Sequence, residues 1–560
     1  MSEWLHPSWL LFAGALPLLL LGDRLRRAWQ LLIPALALAA VLGLEPGTYG
    51  SVSFLGFDLT LMRIDPLSLV FAYVFATILV IGSIYALHVN DGVQHIAAFT
   101  YAGAAQGVIL AGDLITLYVF WELMALTSVW LIWRRQTATA YAAGFRYILV
   151  HAAGGMVLLV GILAYYHATG SVAFGELATH GAGFYLILLG FLINAAAPPL
   201  HAWLPDAYPE ATVTGIIFLS ALTTKTAVYA LMRGFPGTEL LVWLGAFMTL
   251  YGVTFAALVN DIRRLLSYHI VSQVGYMVAG VGLGTSLALN GTAAHAFTHI
   301  LYKALLLMGA GAVLHMAGRS KMSELGGLYR TMPWTLVLYM VGALSISAFP
   351  LFSGFVSKTM IVKAAAEDYR AVIWLMLTAA GVGTFLSVGL KLPYFTFFGR
   401  DSGLRPAEAP PNMLVAMAIA GALCLFIGVA PAPLYAILPY GADYNAYTFG
   451  HLLKEMQLLT FTGLGFYLLL NQLRAKAKIS LDTDWVYRRL APTLIARLSE
   501  PIATADRAAR AACLAAPQHA MSLIRRGDRS GARLARSWPV GSMALWTAVV
   551  LAVLILSGLR

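Results

Sequence analysis

Apolar runs of about 20 residues, recurring from one end of the chain to the other, constrain its fold more than any other feature. Residues 67–88 and 412–438 are examples, each long and apolar enough for a helix that crosses a bilayer. No water is available in the hydrocarbon, so each backbone donor and acceptor must be satisfied internally, which leaves α-helices and closed barrels. A barrel would show alternating segments of roughly ten residues, whereas these runs are continuous. Composition agrees. Of the 560 residues, 60% are hydrophobic and 11% charged, a balance that excludes an ordinary soluble protein of this size. The expected fold is an all-α integral membrane protein.

Helices are expected near 7–22, 28–44, 67–88, 95–112, 113–133, 141–168, 182–204, 211–233, 238–259, 265–288 and 291–317. A broken pass over 333–366 follows, then 370–399, 412–438, 451–471 and 541–558, which makes about sixteen crossings. In the N-terminal segment the positive charges follow the apolar run, the reverse of a cleavable signal, so it reads as a first membrane helix. Loops after odd-numbered helices hold Arg24, Arg26, Arg27, Arg134, Arg135, Arg263, Arg264, Arg319, Lys321, Arg330, Arg400 and Arg405. Those after even-numbered helices hold only Arg63, Arg233, Lys363 and Arg370. Positive charge marks the cytoplasmic side. Both termini are therefore expected outside a bacterial-type inner membrane.

The formal net charge of +11 sits largely in loops and one late basic segment, where a membrane surface accounts for it without a nucleic-acid partner. Cys424 and Cys513 lie far apart with no CxxC pair, so neither a disulfide scaffold nor a cysteine metal site is expected. No metal or cofactor is expected in this chain, which also has no dinucleotide fingerprint at a strand-to-helix turn.

Within the span 182–204, Pro198 and Pro199 fall where a crossing helix should be continuous. Proline removes a backbone donor and clashes with the preceding turn, so the helix must break or bend. Asn194, His201, Asp206, Glu210 and Lys225 gather around this point. An interrupted membrane helix with ionisable neighbours points to an ion or substrate site, although a kink in a packed bundle would read the same way. Pro350 and Gly354 interrupt a second pass, with Lys358 following closely. Two interrupted passes in two parts of one chain suggest an inverted repeat.

Ionisable residues in the middle of apolar passes cost several kcal/mol and need a partner, a cavity or a task. Glu122 and Lys225 are two, and they would form either a proton-passing pair or a structural ion pair. His295, His299 and Lys303 are spaced four apart and so line one helix face. Two histidines with no carboxylate nearby make a poor metal site, and a His/Lys row suits a proton relay, hydrogen-bonded core histidines being the structural alternative. Lys391 is a further candidate, nearer a helix end where snorkelling would also place it.

Residues 474–537 are rich in Arg and Ala with apolar positions at helical spacing. This composition suits an amphipathic lateral segment on the cytoplasmic side, cut into shorter rods by Pro492, Pro501, Pro517, Gly527 and Gly531. Six regions result: N-terminal helices over 1–94, repeats over 95–260 and 261–400, further helices over 401–473, the lateral segment over 474–538 and a last helix over 539–560.

The stretches TLYVFWELMALTSVWLI, PPLHAWLPDAYPEATVTG, HAFTHILYKALLLM and FPLFSGFVSK resemble the antiporter-like subunits of Mrp-type cation/proton antiporters, membrane-bound hydrogenases and respiratory complex I. The likeness covers residues 60–400. TTKTAVY and GLKLPYFTFFGR are most similar to the D-type subunit of Mrp antiporters, and the tail to the distal complex I subunit. This resemblance implies a proton path through Glu122, Lys225, His295, His299, Lys303 and Lys358. It also implies other membrane subunits as partners and Na+ or K+ as the exchanged ion. One departure stands out: the family usually has lysine where this chain has Asn194, and a neutral amide takes up no proton at physiological pH. Three readings remain: one component of an antiporter, the pumping component of a redox complex, and a scaffold or inorganic-carbon uptake component.

Overall fold

The computed structural model describes residues 6–177, 181–473, 482–527 and 539–558. The chain divides into Met1–Thr483 and Asp484–Arg560. The first unit opens with α1 (Pro7–Ala15) and α2 (Asp23–Leu42), then a hairpin of β1 (Gly47–Phe54) and β2 (Phe57–Ile64). Next come α3 (Pro66–Tyr85), α4 (Gly92–Leu110), α5 (Leu114–Ser128), α6 (Trp130–Trp133), α7 (Ala138–Thr169) and α8 (Ala182–Asn194). The middle of the chain forms α9 (Trp203–Ala207), α10 (Gly215–Ala221), α11 (Thr223–Gly234), α12 (Glu239–Leu258), α13 (Ile262–Leu283) and α14 (Ser286–Ala317). Then follow α15 (Pro333–Ile346), α16 (Ser353–Glu367), α17 (Ala371–Thr384), α18 (Pro411–Val429), α19 (Ala432–Ala436) and α20 (Phe449–Leu468).

Among the described residues, ten helical stretches are long and apolar enough to cross a membrane. Pro7–Leu19, Ala182–Asn194 and Pro333–Ile346 are apolar but shorter. The other expected spans are filled by α4, α13 and α20, whose polar residues (Gln94 and His95; His269 and Gln273; Lys454 and Glu455) lower their hydropathy. The hairpin departs from an all-helical reading. Its strands pair antiparallel up to Phe54 and Phe57, and Leu55 and Gly56 turn the chain with φ of 50° and 82°, as a two-residue hairpin turn requires. The expected span 412–438 stops at Val429.

An internal repeat is written into the helix ends. Asp113 caps α5 through the N–H groups of Ile115 and Thr116, and Asp261 caps α13 through those of Arg263 and Arg264. Thr137 and Thr285 cap two 32-residue helices, α7 and α14, which end on left-handed Gly170 and Gly318. Asp113 bridges to Ala173 as Asp261 does to Lys321. Each of these landmarks recurs 148 positions later. Four passes lie between α5 and α13, so α13 is the fifth crossing after α5 and an odd number of crossings returns the repeat with inverted orientation.

In the second unit, α21 (Ala491–Gly527) is one continuous helix with Pro501 and Pro517 inside it. The expected division into rods is therefore incorrect for the described part. Pro492 lies just after the π-helical stretch Val486–Leu490, which runs unbroken into α21, so it does not divide the helix either. Each interior proline costs about 3 kcal/mol, offset here by the helix-favouring Ala, Leu and Arg around it. Gly527 is the last helical residue, and Gly531 lies outside the described residues. The last helix, α22 (Val540–Gly558), is long and apolar enough to span, and none of its spanning window is buried within the chain.

Candidate functional site

Both interrupted passes end their first half in the same way. In α8 the helix stops at Asn194, Ala196 has φ of 57°, and the N–H groups of Ala196 and Ala197 donate to Ile193 O and Leu192 O at 3.1 and 3.0 Å. In α15 it stops at Ile346, Ala348 has φ of 56°, and Ala348 and Phe349 donate to Ser345 O and Leu344 O, both at 3.1 Å. Pro198, Pro199 and Pro350 follow these turns, so the predicted breaks are present at both places. Each break exposes carbonyls, and a side chain takes one of them. Trp203 Nε1 donates to Ile193 O at 3.0 Å, and Lys358 Nζ donates to Ile346 O at 3.2 Å. Gly354 is required here, because a Cβ on it would lie 1.9 Å from Ser345 O.

Around the first break, Asn194 is buried beside His151, and among the described residues neither amide atom has a hydrogen-bond partner of good geometry. His151 of α7 packs against Tyr147 and Trp203 at ring distances of 4.2 and 4.6 Å. His201 is wholly buried, with Nε2 3.1 Å from Asp482 Oδ2. Asp206 is held by Arg146 at 2.6 and 2.9 Å, and Glu210 by Arg135 and Thr139 near the surface.

Glu122 and Lys225 do not form an ion pair. The interruption between α10 and α11 frees Ser220 O, and Lys225 Nζ donates to it at 2.6 Å and to Thr224 Oγ1 at 3.1 Å. Glu122 is half-buried, its Oε1 buried and unpartnered against Gly155, where a Cβ would lie only 1.7 Å away. At the 148-residue offset Gly155 corresponds to Lys303 and His151 to His299.

The second half holds the predicted row. His295, His299 and Lys303 are wholly buried on α14, with 6.0 Å between the two imidazoles. Lys303 Nζ donates to Leu266 O at 3.4 Å. Ser357 Oγ lies 3.5 Å from His295 Nδ1 and 2.7 Å from Thr298 Oγ1. The ring of Tyr276 stands 6.0 Å from that of His295 and 5.4 Å from Lys358 Nζ. Serine and tyrosine thus stand between the row and Lys358. Lys391 ends a π-helical turn, Phe385–Lys391, and donates to Ala257 O at 2.5 Å, so it is buried rather than snorkelled.

Besides Ser357 and Tyr276, four ionisable residues of this arrangement were not singled out by the sequence. They are His151, His269 (2.7 Å from Ser387 Oγ), Glu455, which shares a pocket with Lys358, and Asp482. The repeat offset would have found His151; the others depend on tertiary contacts. Glu122 Oε1, His151 Nε2, the Asn194 amide, His201 Nδ1, His269 Nδ1, His295 Nε2 and both nitrogens of His299 are buried without a hydrogen-bond partner among the described residues. Each such atom costs about 1–3 kcal/mol.

A multi-pass helical membrane protein with an inverted repeat, two interrupted passes and a buried ionisable row is the class these features define. Residues 111–387 match the family described as NADH:quinone oxidoreductase/Mrp antiporter, transmembrane. The chain is 31% identical over 363 residues to the D-type subunit of the Na+/H+ antiporter of Alkalihalophilus pseudofirmus, covering 60% of this chain and 72% of that protein. It is 31% identical over 409 residues to the A/B-type subunit of a probable K+/H+ antiporter of Rhizobium meliloti, covering 68% of this chain but only 41% of that longer one. Its fold matches a chain of the membrane-bound sulfane sulfur reductase, an archaeal respiratory membrane complex, with a TM-score of 0.73 at 24% identity, over 99% of this chain and 100% of that one. The chain belongs to this antiporter-like subunit family.

Proposed function

We propose that the chain moves protons across the membrane as one subunit of a multisubunit Na+ or K+/proton antiporter. The observation that carries this reading is the buried series on α14 and α16. Lys303, His299 and His295 are followed by Ser357 and Tyr276 and then by Lys358 at the second break. Imidazole and amine groups can both take up and release a proton, which a buried relay requires. Glu122 and Lys225 feed this series from the first half, where Asn194 leaves the break without the family's lysine. The loops bearing most of the Arg and Lys face the cytoplasm, as the positive-inside rule directs.

The second reading, a proton pump driven by a redox partner, draws support from the family's membership and from the fold match to a respiratory complex. The two separate in liposomes containing the complete purified complex, with internal pH followed after a Na+ or K+ jump and no electron donor. Antiport predicts cation-dependent proton flux in wild type and its loss in Lys358→Ala. Flux that appears only with an electron donor would establish the redox pump, and equal flux in both proteins would remove Lys358 from the path.

A further inference from the structure

His201 stands in the first break, seven residues after Asn194, and its side chain is wholly enclosed. Its partner comes from far along the sequence. Asp482 follows α20 and leads into the second unit, yet its side chain is only 2% exposed. Oδ2 lies 3.1 Å from His201 Nε2 and accepts from Tyr268 Oη at 2.5 Å, and Oδ1 accepts from Tyr251 Oη. The Tyr251 ring packs edge-on against the imidazole at 4.6 Å. A carboxylate only accepts hydrogen bonds, so it fixes the imidazole proton on Nε2 and leaves the lone pair on Nδ1. His201 Nδ1 is buried and has no partner among the described residues.

We infer that Asp482 is a positioning residue that makes His201 an oriented proton carrier in the first break. A proton enters and leaves at Nδ1. The imidazolium formed in between is neutralised by the carboxylate, which stays ionised, so no charge is left unpaired in the interior. This couple supplies a titratable group in a break where Asn194 supplies none. It also makes that group depend on the chain beyond α20, since displacing residue 482 would release the imidazole. Other titratable or charged groups on the elements packed here include Tyr251 on α12, Tyr268, His269 and Arg263 on α13, Tyr147 and His151 on α7, and Arg146 on α7 paired with Asp206. Among the described residues, Tyr251 and Tyr268 both donate to the carboxylate.

The inference rests on the proton-path reading, so its test includes Lys358→Ala as a separate arm. The full complex carrying Asp482→Asn, Asp482→Glu or Tyr268→Phe is reconstituted, and cation-driven proton flux is measured across the pH range. In Asp482→Asn the acid limb of the flux profile should move to lower pH by about one unit or more, because the imidazolium loses its counter-charge. Asp482→Glu should restore most of the wild-type profile, and Tyr268→Phe should shift it less and in the same direction. An Asn profile superimposed on wild type overturns the inference. If Asp482→Asn does not assemble, Tyr268→Phe decides, and an unmoved profile there overturns it equally. Full flux in Lys358→Ala instead contradicts the proposed path and leaves the Asp482 profile to be judged by its own shift.

Discussion

Substituting Gly155 by alanine tests whether the position of the Glu122 carboxylate matters, without removing the carboxylate. The added Cβ would lie 1.7 Å from Oε1, 2.7 Å from Cδ and 3.1 Å from Oε2. Ordinary contact needs 3.4 Å or more, so Oε1 must retreat by roughly 1.5–2 Å. The obstruction is the end of a flexible, half-buried side chain, so it can swing aside with a fold cost within about 1 kcal/mol. Transfer is more sensitive, since a misplacement of about 1 Å costs up to about 100-fold where groups must be in line. Gly155→Ala should therefore assemble and melt like wild type while cation-driven proton flux falls at least tenfold, close to the level of Glu122→Gln. The double substitution should be no worse than either single one, because both remove the same carboxylate from the same place. Full flux in Gly155→Ala, or additive losses in the double, would refute the claim that Glu122 works from this position.

At Gly354 the obstruction is backbone. A Cβ 1.9 Å from Ser345 O has nothing flexible to displace, so Gly354→Ala should cost about 2–4 kcal/mol and lower the melting temperature of the purified complex. Deleting residues 474–560 should weaken assembly with partner subunits more than ion specificity; an intact complex on gel filtration would count against a bracing role for the tail. In the exposed loop before α18, hydrogen bonds from Arg405 and from Gly403 N–H hold the Asp401 carboxyl well below the usual carboxylate range. A lowered folded value means the contact contributes fully above the ordinary carboxylate range and is lost as pH falls through the folded value. Hydrogen-exchange protection of residues 401–405 should accordingly be level from about pH 5 to about pH 9, and a decline inside that window would contradict the assignment.

The crossings were legible because bilayer thickness fixes the length of an apolar run, and the breaks because proline leaves no alternative inside a helix. The α14 row was legible from its spacing alone. Other features needed the third dimension. Glu122 and Lys225 read as neighbours by charge, but a freed carbonyl at Ser220 is the nearer partner for the lysine. Nothing local in the sequence marks Asp482, whose role is set by contacts more than 200 residues away. The hairpin over 47–64 is too polar for a crossing helix, and its strand pairing shows only in the fold. The helix runs through Pro501 and Pro517 because the helix-forming residues around them outweigh two isolated prolines.

The path as a whole depends on His299, at the centre of the α14 row and with both ring nitrogens buried and unpartnered. The most direct measurement is internal pH in liposomes holding the complete complex with His299→Gln, which keeps bulk and hydrogen-bonding capacity but does not titrate. Proton flux after a Na+ or K+ jump should fall more than tenfold with assembly unchanged. Flux equal to wild type would show that protons do not pass through the row.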